Sequence, residues 1–179
     1  MTLSTAYRVE QATLDDLPAI ARIHVLSWQQ AYRRSVPQEY LDSLDVAVRQ
    51  KEWENEFRAG PAQKRHLYVA KHQNETIGFI SFGPGRDKGK ESLAEIYAVY
   101  LLVGAWGAGA GHALFQTAMR ISSEQGYSQA YVWVMDTNEN AILSYRHWGG
   151  IRAPNETKQD QIGGQPITEI MLSFDLGKK

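Results

Sequence analysis

Apolar positions near the N terminus recur at helical spacing. Leu17, Ile20, Ala21, His24, Trp28, Ala31 and Tyr32 fall three and four residues apart, the period of one helix face. This predicts a helix over residues 14–33. Thr13, with Asp16 three residues on, resembles a capping box with Asp in place of Glu. A short strand, Ala6 to Ala12, precedes it, and Val36-Pro37 breaks it. Pro37 to Leu44 fits a helical turn. Asp45 caps a further helix to about Arg58, with Val46, Trp53 and Phe57 on one side, and Gly60-Pro61 stops it.

Beyond Gly60 the period changes. His66 to Lys71 and Thr76 to Phe82 read as a hairpin around Gln73-Asn74-Glu75. Gly83 to Lys90 reads as a solvated, charged loop. Leu93 to Val103 is dense in β-branched and aromatic residues, which predicts a central strand. A glycine-rich turn leads into a helix over residues 109–125, with Leu114, Phe115, Ala118 and Ile121 as its buried stripe and Gly126 as its stop. Ala130 to Met135 is a strand, Asn138 to Trp148 a short helix, Arg152 to Gly164 irregular with strand potential, and Ile167 to Leu176 a last strand. Nothing inside the chain reads as a linker, so the expectation is one mixed α/β (α+β) domain over residues 1–179.

Composition narrows the chemistry. The chain has 179 residues and a formal net charge of −1, with acids and bases interleaved. That balance argues against a nucleic-acid partner, which normally leaves a basic footprint. There are no cysteines, which excludes disulfides, cysteine-ligated zinc and a catalytic thiol. The five histidines are scattered without an HExxH, so no metal is expected. The first residues show no basic stretch followed by an apolar core, and no apolar run is long enough to span a bilayer. The expectation is a cytoplasmic protein without a membrane partner.

The segment with most chemical content is Gly104-Ala105-Trp106-Gly107-Ala108-Gly109-Ala110-Gly111-His112. Glycines let backbone amides approach an anion, and a helix start aims unpaired N–H groups and partial positive charge at it. A P-loop would continue Gly-Lys-Ser/Thr, but His112-Ala113 follows Gly111. The dinucleotide fingerprint G-x-G-x-x-G also fails, its last position falling on His112 or Leu114. On these residues alone, a phosphate cradle and a plain tight turn both remain open.

Context adds a resemblance. Ala94-Glu95-Ile96-Tyr97-Ala98-Val99-Tyr100-Leu101, running through that turn into Ala113-Leu114-Phe115, resembles the acetyl-CoA-binding core of the GNAT superfamily of N-acetyltransferases. The family pattern is a strand, then Arg/Gln-x-x-Gly-x-Gly/Ala, then a helix; Trp106, Gly109 and Gly111 stand at those positions. Asn138-x-x-Ala141-x-x-x-Tyr145, followed by Gly149, resembles a second family segment. The stretch His24 to Tyr40 is similar to the opening of a bacterial subset. Trp106 stands where the family has Arg or Gln, Ala108 where a basic residue is common, Val103 where proline is common, and Gly150 where an aromatic is frequent.

The resemblance implies a mostly antiparallel sheet splayed near its middle, with helices on both faces. It implies acetyl-CoA as cosubstrate, held by Leu101, Val103, Trp106, Gly107, Ala108, Gly109, Ala110, Gly111, His112 and Asn138. Direct transfer of acetyl to an amine needs a base, a polarised carbonyl, an acid for the departing thiolate, and alignment. Glu95 is the candidate base, matching a glutamate some relatives use, and Tyr145 the candidate acid. The Leu101 backbone would polarise the thioester, freed by a strand bulge near it. Asn138 has a plainer alternative role as a helix cap. Trp28 and Tyr32, four apart on one helix face, and Tyr97 border the acceptor.

The acceptor would be a primary amine of a small molecule. A protein or peptide amine, and a non-catalytic acyl-CoA-binding regulatory module, are the alternatives. A nucleotide-binding protein of another kind is the remaining reading of the glycine turn. The edge strands near the C terminus offer a surface for a homodimer, a state common among relatives.

Overall fold

The computed structural model describes residues 7–177; Ala6 of the first expected strand lies outside them. In chain order the elements are β1 (Arg8–Gln11), α1 (Leu17–Ala31), α2 (Gln38–Asp42), α3 (Val46–Ala59), β2 (His66–His72), β3 (Glu75–Pro84), β4 (Ala94–Leu101), α4 (Ala110–Glu124), β5 (Gln129–Met135), α5 (Glu139–His147), β6 (Ile151–Ile162) and β7 (Gln165–Asp175). One-turn 3-10 segments occupy Leu14–Asp16 and Val103–Ala105. The strands form one sheet in the order β1-β2-β3-β4-β5-β7-β6. All its pairings are antiparallel except β4 with β5. Among the described residues, no helix is long and apolar enough to cross a membrane.

Local chemistry explains the first elements. The Thr13 backbone N–H donates to Asp16 at 2.9 Å and its hydroxyl to the same oxygen at 3.0 Å. This box caps the 3-10 turn, and Pro18 then sits in the first turn of α1, where a missing N–H costs nothing. The other Asp16 oxygen receives Lys71 at 2.8 Å and Thr76 at 3.1 Å, tying the helix start to the β2–β3 hairpin. Asp45 caps α3 by accepting the Val48 N–H at 2.9 Å.

The stretch 152–164, read as irregular with strand potential, forms most of the long strand β6, which ends at Ile162. β6 slips register against β7 between Arg152 and Thr157, and Asn155 takes φ +66°. That interruption is what blurred the alternation.

Helices cover both faces. On one, α4 and α5 bury Leu114, Phe115, Ala118 and Tyr145 against Ile80, Phe82, Ile96, Val132, Val134, Leu172 and Phe174. On the other, α1 and α3 bury Leu17, Ile20, Ile23 and Trp53 against Val69 and Phe79. His24 belongs to this packing. It accepts the Trp53 indole N–H at 3.1 Å and stacks on Tyr100, and burial pulls its pKa down to about 3.

Two irregularities in β4 shape the site. First, Phe82 pairs with Ile96 but Ser81 pairs with Ala98, so Tyr97 is an extra residue: a β-bulge. It reverses the side-chain alternation. Ala94 and Ile96 face α4 before it, whereas Ala98, Tyr100 and Leu102 face α1 after it. The bulge expected near Leu101 therefore lies at Tyr97. Second, β4 pairs with β5 only at Ala94–Ala130, Glu95–Tyr131 and Ile96–Val132. Beyond Ile96 the two strands part, and the sheet is splayed.

Leu114 is fully buried between α4 and the sheet. Leu114→Ala is expected to cost about 2–5 kcal/mol, the range for a core Leu→Ala cavity. Urea unfolding midpoints of the two proteins measure it.

Candidate active site

The splay gives β4 a free edge. The Leu102 N–H donates to the Ile77 carbonyl at 2.9 Å, so Ile77 and Leu102 form a hydrogen-bonded pair. Antiparallel alternation then turns the N–H and C=O of Leu101, and of Val99 two residues back, away from β3 and toward the gap. The Leu101 carbonyl accepts from Ser27 Oγ and Trp106 Nε1, both at 3.2 Å. Its N–H points the same way and is positioned to donate to an oxygen placed between β4 and β5.

At the open end of the gap lies the glycine turn. Gly107 and Gly109 take φ of +70° and +92°, which L side chains rarely adopt. A Cβ at Gly104, Gly107 or Gly109 would meet nothing within 4 Å, so the space before the turn is open. Gly109 is the N-cap of α4 and offers no side-chain cap. The ladder starts with Ala113 N–H donating to Gly109 at 3.0 Å, which leaves the Ala110, Gly111 and His112 amides for an outside acceptor. Those three donors, at the positive end of a fifteen-residue helix, fit a diphosphate. Gly111 serves packing instead: a Cβ there would lie 3.2 Å from the Leu101 side chain and 3.4 Å from Trp148.

The side chains of the turn contribute little charge. Trp106 is 44% exposed, and its indole pins the turn to the end of β4. Val103 and Ala108 are exposed, whereas Ala110 is buried. His112 stacks on Trp148 at 5.7 Å between ring centroids.

Phenols gather on the other side of the gap. Tyr145, buried in α5, packs its ring against Phe115, Trp148 and Phe174. Burial holds its hydroxyl well above the ordinary tyrosine pKa, so it stays protonated and can donate. Tyr32 is near enough to raise it further. Asn138 and Tyr100 flank the Tyr32 hydroxyl. Trp28 crosses Tyr32 edge to face at 5.0 Å and donates its indole N–H to the Tyr100 hydroxyl at 2.9 Å. Asn138 also caps α5, accepting the Ala141 N–H at 3.3 Å. The structure thus brings Trp28, Tyr32, Asn138, Tyr145 and Leu101 together around the splay.

Glu95 and Tyr97 sit elsewhere. Glu95 is 2% exposed and lies where β4 and β5 are still paired. Its carboxylate accepts the Arg86 backbone N–H at 2.8 Å, the Arg86 guanidinium at 2.6 and 3.2 Å, and the Tyr131 hydroxyl at 3.0 Å. A base needs a free lone pair facing the amine, and this carboxylate has spent its own on Arg86 and Tyr131. The Tyr97 hydroxyl donates to the Pro84 carbonyl at 2.6 Å, and its ring lies under Arg86 and Arg65. Burial raises its pKa to about 12. Neither side chain reaches the gap as the sequence suggested, because the bulge separates their strand segment from the splayed one.

The loop read as solvated is structural. Arg86 holds Glu95, Asp87 accepts the Trp133 indole at 2.7 Å and pairs with Lys158, and Lys90 pairs with Glu156 at 2.8 Å. A Cβ on Gly85 would come 2.2 Å from the Lys90 carbonyl, so this loop closes only with glycine there. Sequence reading missed Arg86, Tyr100 and Tyr131. The charge alternation of residues 86–91 was the one visible signal, and it bears on Arg86 alone.

Comparison with known proteins bears on this arrangement. Residues 20–149 match the model of the acetyltransferase (GNAT) family. The chain is 31% identical over 169 residues to YuaI, an uncharacterized N-acetyltransferase of Bacillus subtilis (strain 168), covering 93% of this chain and 91% of that protein. A phosphinothricin acetyltransferase from Sinorhizobium meliloti, solved in complex with AcCoA, superposes with a TM-score of 0.76 at 18% identity, over 96% of this chain and 89% of that one. A ribosomal-protein-alanine N-acetyltransferase from Brucella melitensis gives 0.72 at 22% identity, over 94% and 99%. The two structures share the fold. The family match runs from α1 through α5 and so takes in both the splay and the glycine turn; with a relative of this identity over nearly its whole length, the chain belongs to the acetyltransferase (GNAT) family.

Proposed function

We propose that the chain works as one N-acetyltransferase domain that moves the acetyl group of acetyl-CoA directly to the primary amine of a small molecule. One observation carries this reading. The Leu101 amide and the uncapped α4 amides face one gap, opened by the parting of β4 and β5, and the buried Tyr145 hydroxyl lies close enough to Tyr32 to feel its charge.

When bound, acetyl-CoA supplies an activated acyl carbon and a thiolate leaving group. The chain supplies the rest. The Ala110, Gly111 and His112 amides hold the diphosphate, and the Gly107–Gly109 bend keeps side chains out of its way. The Leu101 N–H polarises an oxygen held against β4. Tyr145, kept protonated by burial, gives a proton to the leaving sulfur. Trp106 fastens the turn to β4, so its replacement of a basic side chain leaves the backbone donors as the main diphosphate contacts.

A small acceptor is favoured by how the other face is roofed. Tyr32, Val36 and Leu41 bury against Met135 and Ile167, with Tyr40 and Ile162 packed beside them. A Cβ on Gly163 would lie 2.7 Å from Tyr40. The α1–α2 connection thus rests on the β6–β7 hairpin and roofs the acceptor side at that point. Glu95 takes a supporting role, fixing Arg86 and Tyr131 at the closed end of the sheet.

Three outcomes are expected. Acetyl-CoA at about 100 times its Kd should add ~2.7 kcal/mol, a rise of roughly 5–10 °C for a domain of this size. NAD and ATP should give none; a scanning fluorimetry trace without the acetyl-CoA rise would remove the cosubstrate. Tyr145→Phe should lower kcat on the order of 10²-fold while the thermal shift by acetyl-CoA persists; unchanged turnover would remove the acid role. Arg86→Met strands the buried Glu95 charge and should destabilise by about 3–5 kcal/mol, read as a lower urea midpoint.

A further inference from the structure

The mechanism above leaves one proton without an acceptor. An alkylamine near pKa ~10 arrives as an ammonium ion, and it must lose a proton before its nitrogen can attack. Glu95 is closed off at the paired end of the sheet.

The strand registers locate a different carboxylate at the right level. In the parallel pair, Ile96 sits beside Val132. Three residues further along β5 is Met135. Three residues further along β4, plus the extra Tyr97 of the bulge, is Tyr100, next to Leu101. Met135 pairs with Glu169 of β7, so Glu169 stands across the gap at the height of the Leu101 amide. Tyr131, the partner of Glu95, pairs with Ser173. Four residues of strand, ~13 Å, therefore separate the level of Glu95 from that of Glu169.

Glu169 also faces the acceptor side. It shares a face with its cross-strand partner Met135, which is buried with Tyr32 under the α1–α2 connection. The groups facing it are Lys158 and Asp160 of β6, Arg86 and Asp87 of the β3–β4 loop, and Tyr32 of α1. The two cations among them are engaged elsewhere: Lys158 pairs with Asp87 and lies over the Trp133 ring, and Arg86 pairs with Glu95. Among the described residues, two acids of this wall are held by no ion pair, Asp160 and Glu169. Asp160 accepts the Gln161 N–H and lies two residues further out on the edge strand β6, whereas Glu169 lies on β7 opposite Lys158, whose ammonium is turned to Asp87. Half-burial raises the Glu169 pKa above the ordinary glutamate value, which makes it a stronger proton acceptor than an exposed carboxylate.

We propose that Glu169 binds the acceptor's ammonium group and takes its proton. The proposal rests on the acetyl-transfer reading above. An N–H bond of the ammonium breaks and its proton goes to a Glu169 oxygen. The freed nitrogen lone pair forms the C–N bond to the acetyl carbon, the C–S bond breaks, and Tyr145 protonates the departing sulfur. The amide nitrogen sheds its second proton to water. The acceptor is thus a small amine that enters as a cation.

The test uses the full chain, acetyl-CoA and two probes of similar size. Propylamine is an ammonium ion at pH 7, whereas methoxyamine is neutral there and needs no base before attack. Glu169→Gln should slow acetylation of propylamine on the order of 10²-fold or more and leave methoxyamine within about threefold of the parent, well short of a lost general base. Equal slowing of both probes, or of neither, overturns the proposal. A second readout needs no turnover. The carbon-13 resonance of the Glu169 side-chain carboxylate, assigned by its loss in Glu169→Gln, should move when propylammonium is added to the protein without coenzyme. If it stays put, the ammonium does not bind there. Failure of acetyl transfer alone, with that shift present, would count against the acetyl-transfer reading and leave the Glu169 contact standing.

Discussion

The structure depends on one broken partnership. β4 and β5 lie parallel and pair through three residues each, then diverge. Backbone polar groups inside a sheet ordinarily find strand partners. Here the open edge of β4 keeps its donors facing a gap, and the chain invests in holding that gap apart. On one side α4 starts with no side-chain cap. On the other, Tyr145 packs in its aromatic cluster with Phe115, Trp148 and Phe174. A sheet zipped to its end would be the more regular object, but it would offer no backbone donors to an acyl group.

Holding the gap open requires the paired end to be firm. That is the work of Glu95. A buried carboxylate is costly alone, and it is tolerated here because Arg86 and Tyr131 satisfy it from the loop and from β5. The charged loop after β3 extends the same bracing. Its Asp87 and Lys90 reach Trp133, Lys158 and Glu156 on β5 and β6, so the loop ties the β3–β4 half of the sheet to the strands beyond the gap. The bulge at Tyr97 then changes which residues face which side, and the strand that anchors the closed end with Glu95 presents Tyr100 to the acceptor face beyond it.

Much of the fold was legible in the chain. Helical spacing from Leu17 to Tyr32, the Asp45 cap, the β2–β3 turn and the stripe of α4 are local signals, and each element formed within a few residues of its expected bounds. The glycine turn was legible for a similar reason: two positive-φ bends before an uncapped helix demand glycine wherever they occur. β6 was less legible because its register slip interrupts the alternation on which strand reading relies.

Sequence by itself therefore determined the order of elements, the α/β class and the glycine turn that opens α4, since these rest on period, propensity and neighbours a few residues apart. Only the tertiary structure decided which carboxylate is free. Glu95 stands in an apolar strand where some relatives carry a glutamate base, yet Arg86, nine residues away, and Tyr131, thirty-six away, consume its lone pairs. Glu169 reads as an ordinary strand glutamate, yet a one-residue bulge and the pairing of β7 with β5 lift it to the level of the Leu101 amide. Exposure, charge compensation and height along a sheet are sums over distant strands, and no local pattern carries them.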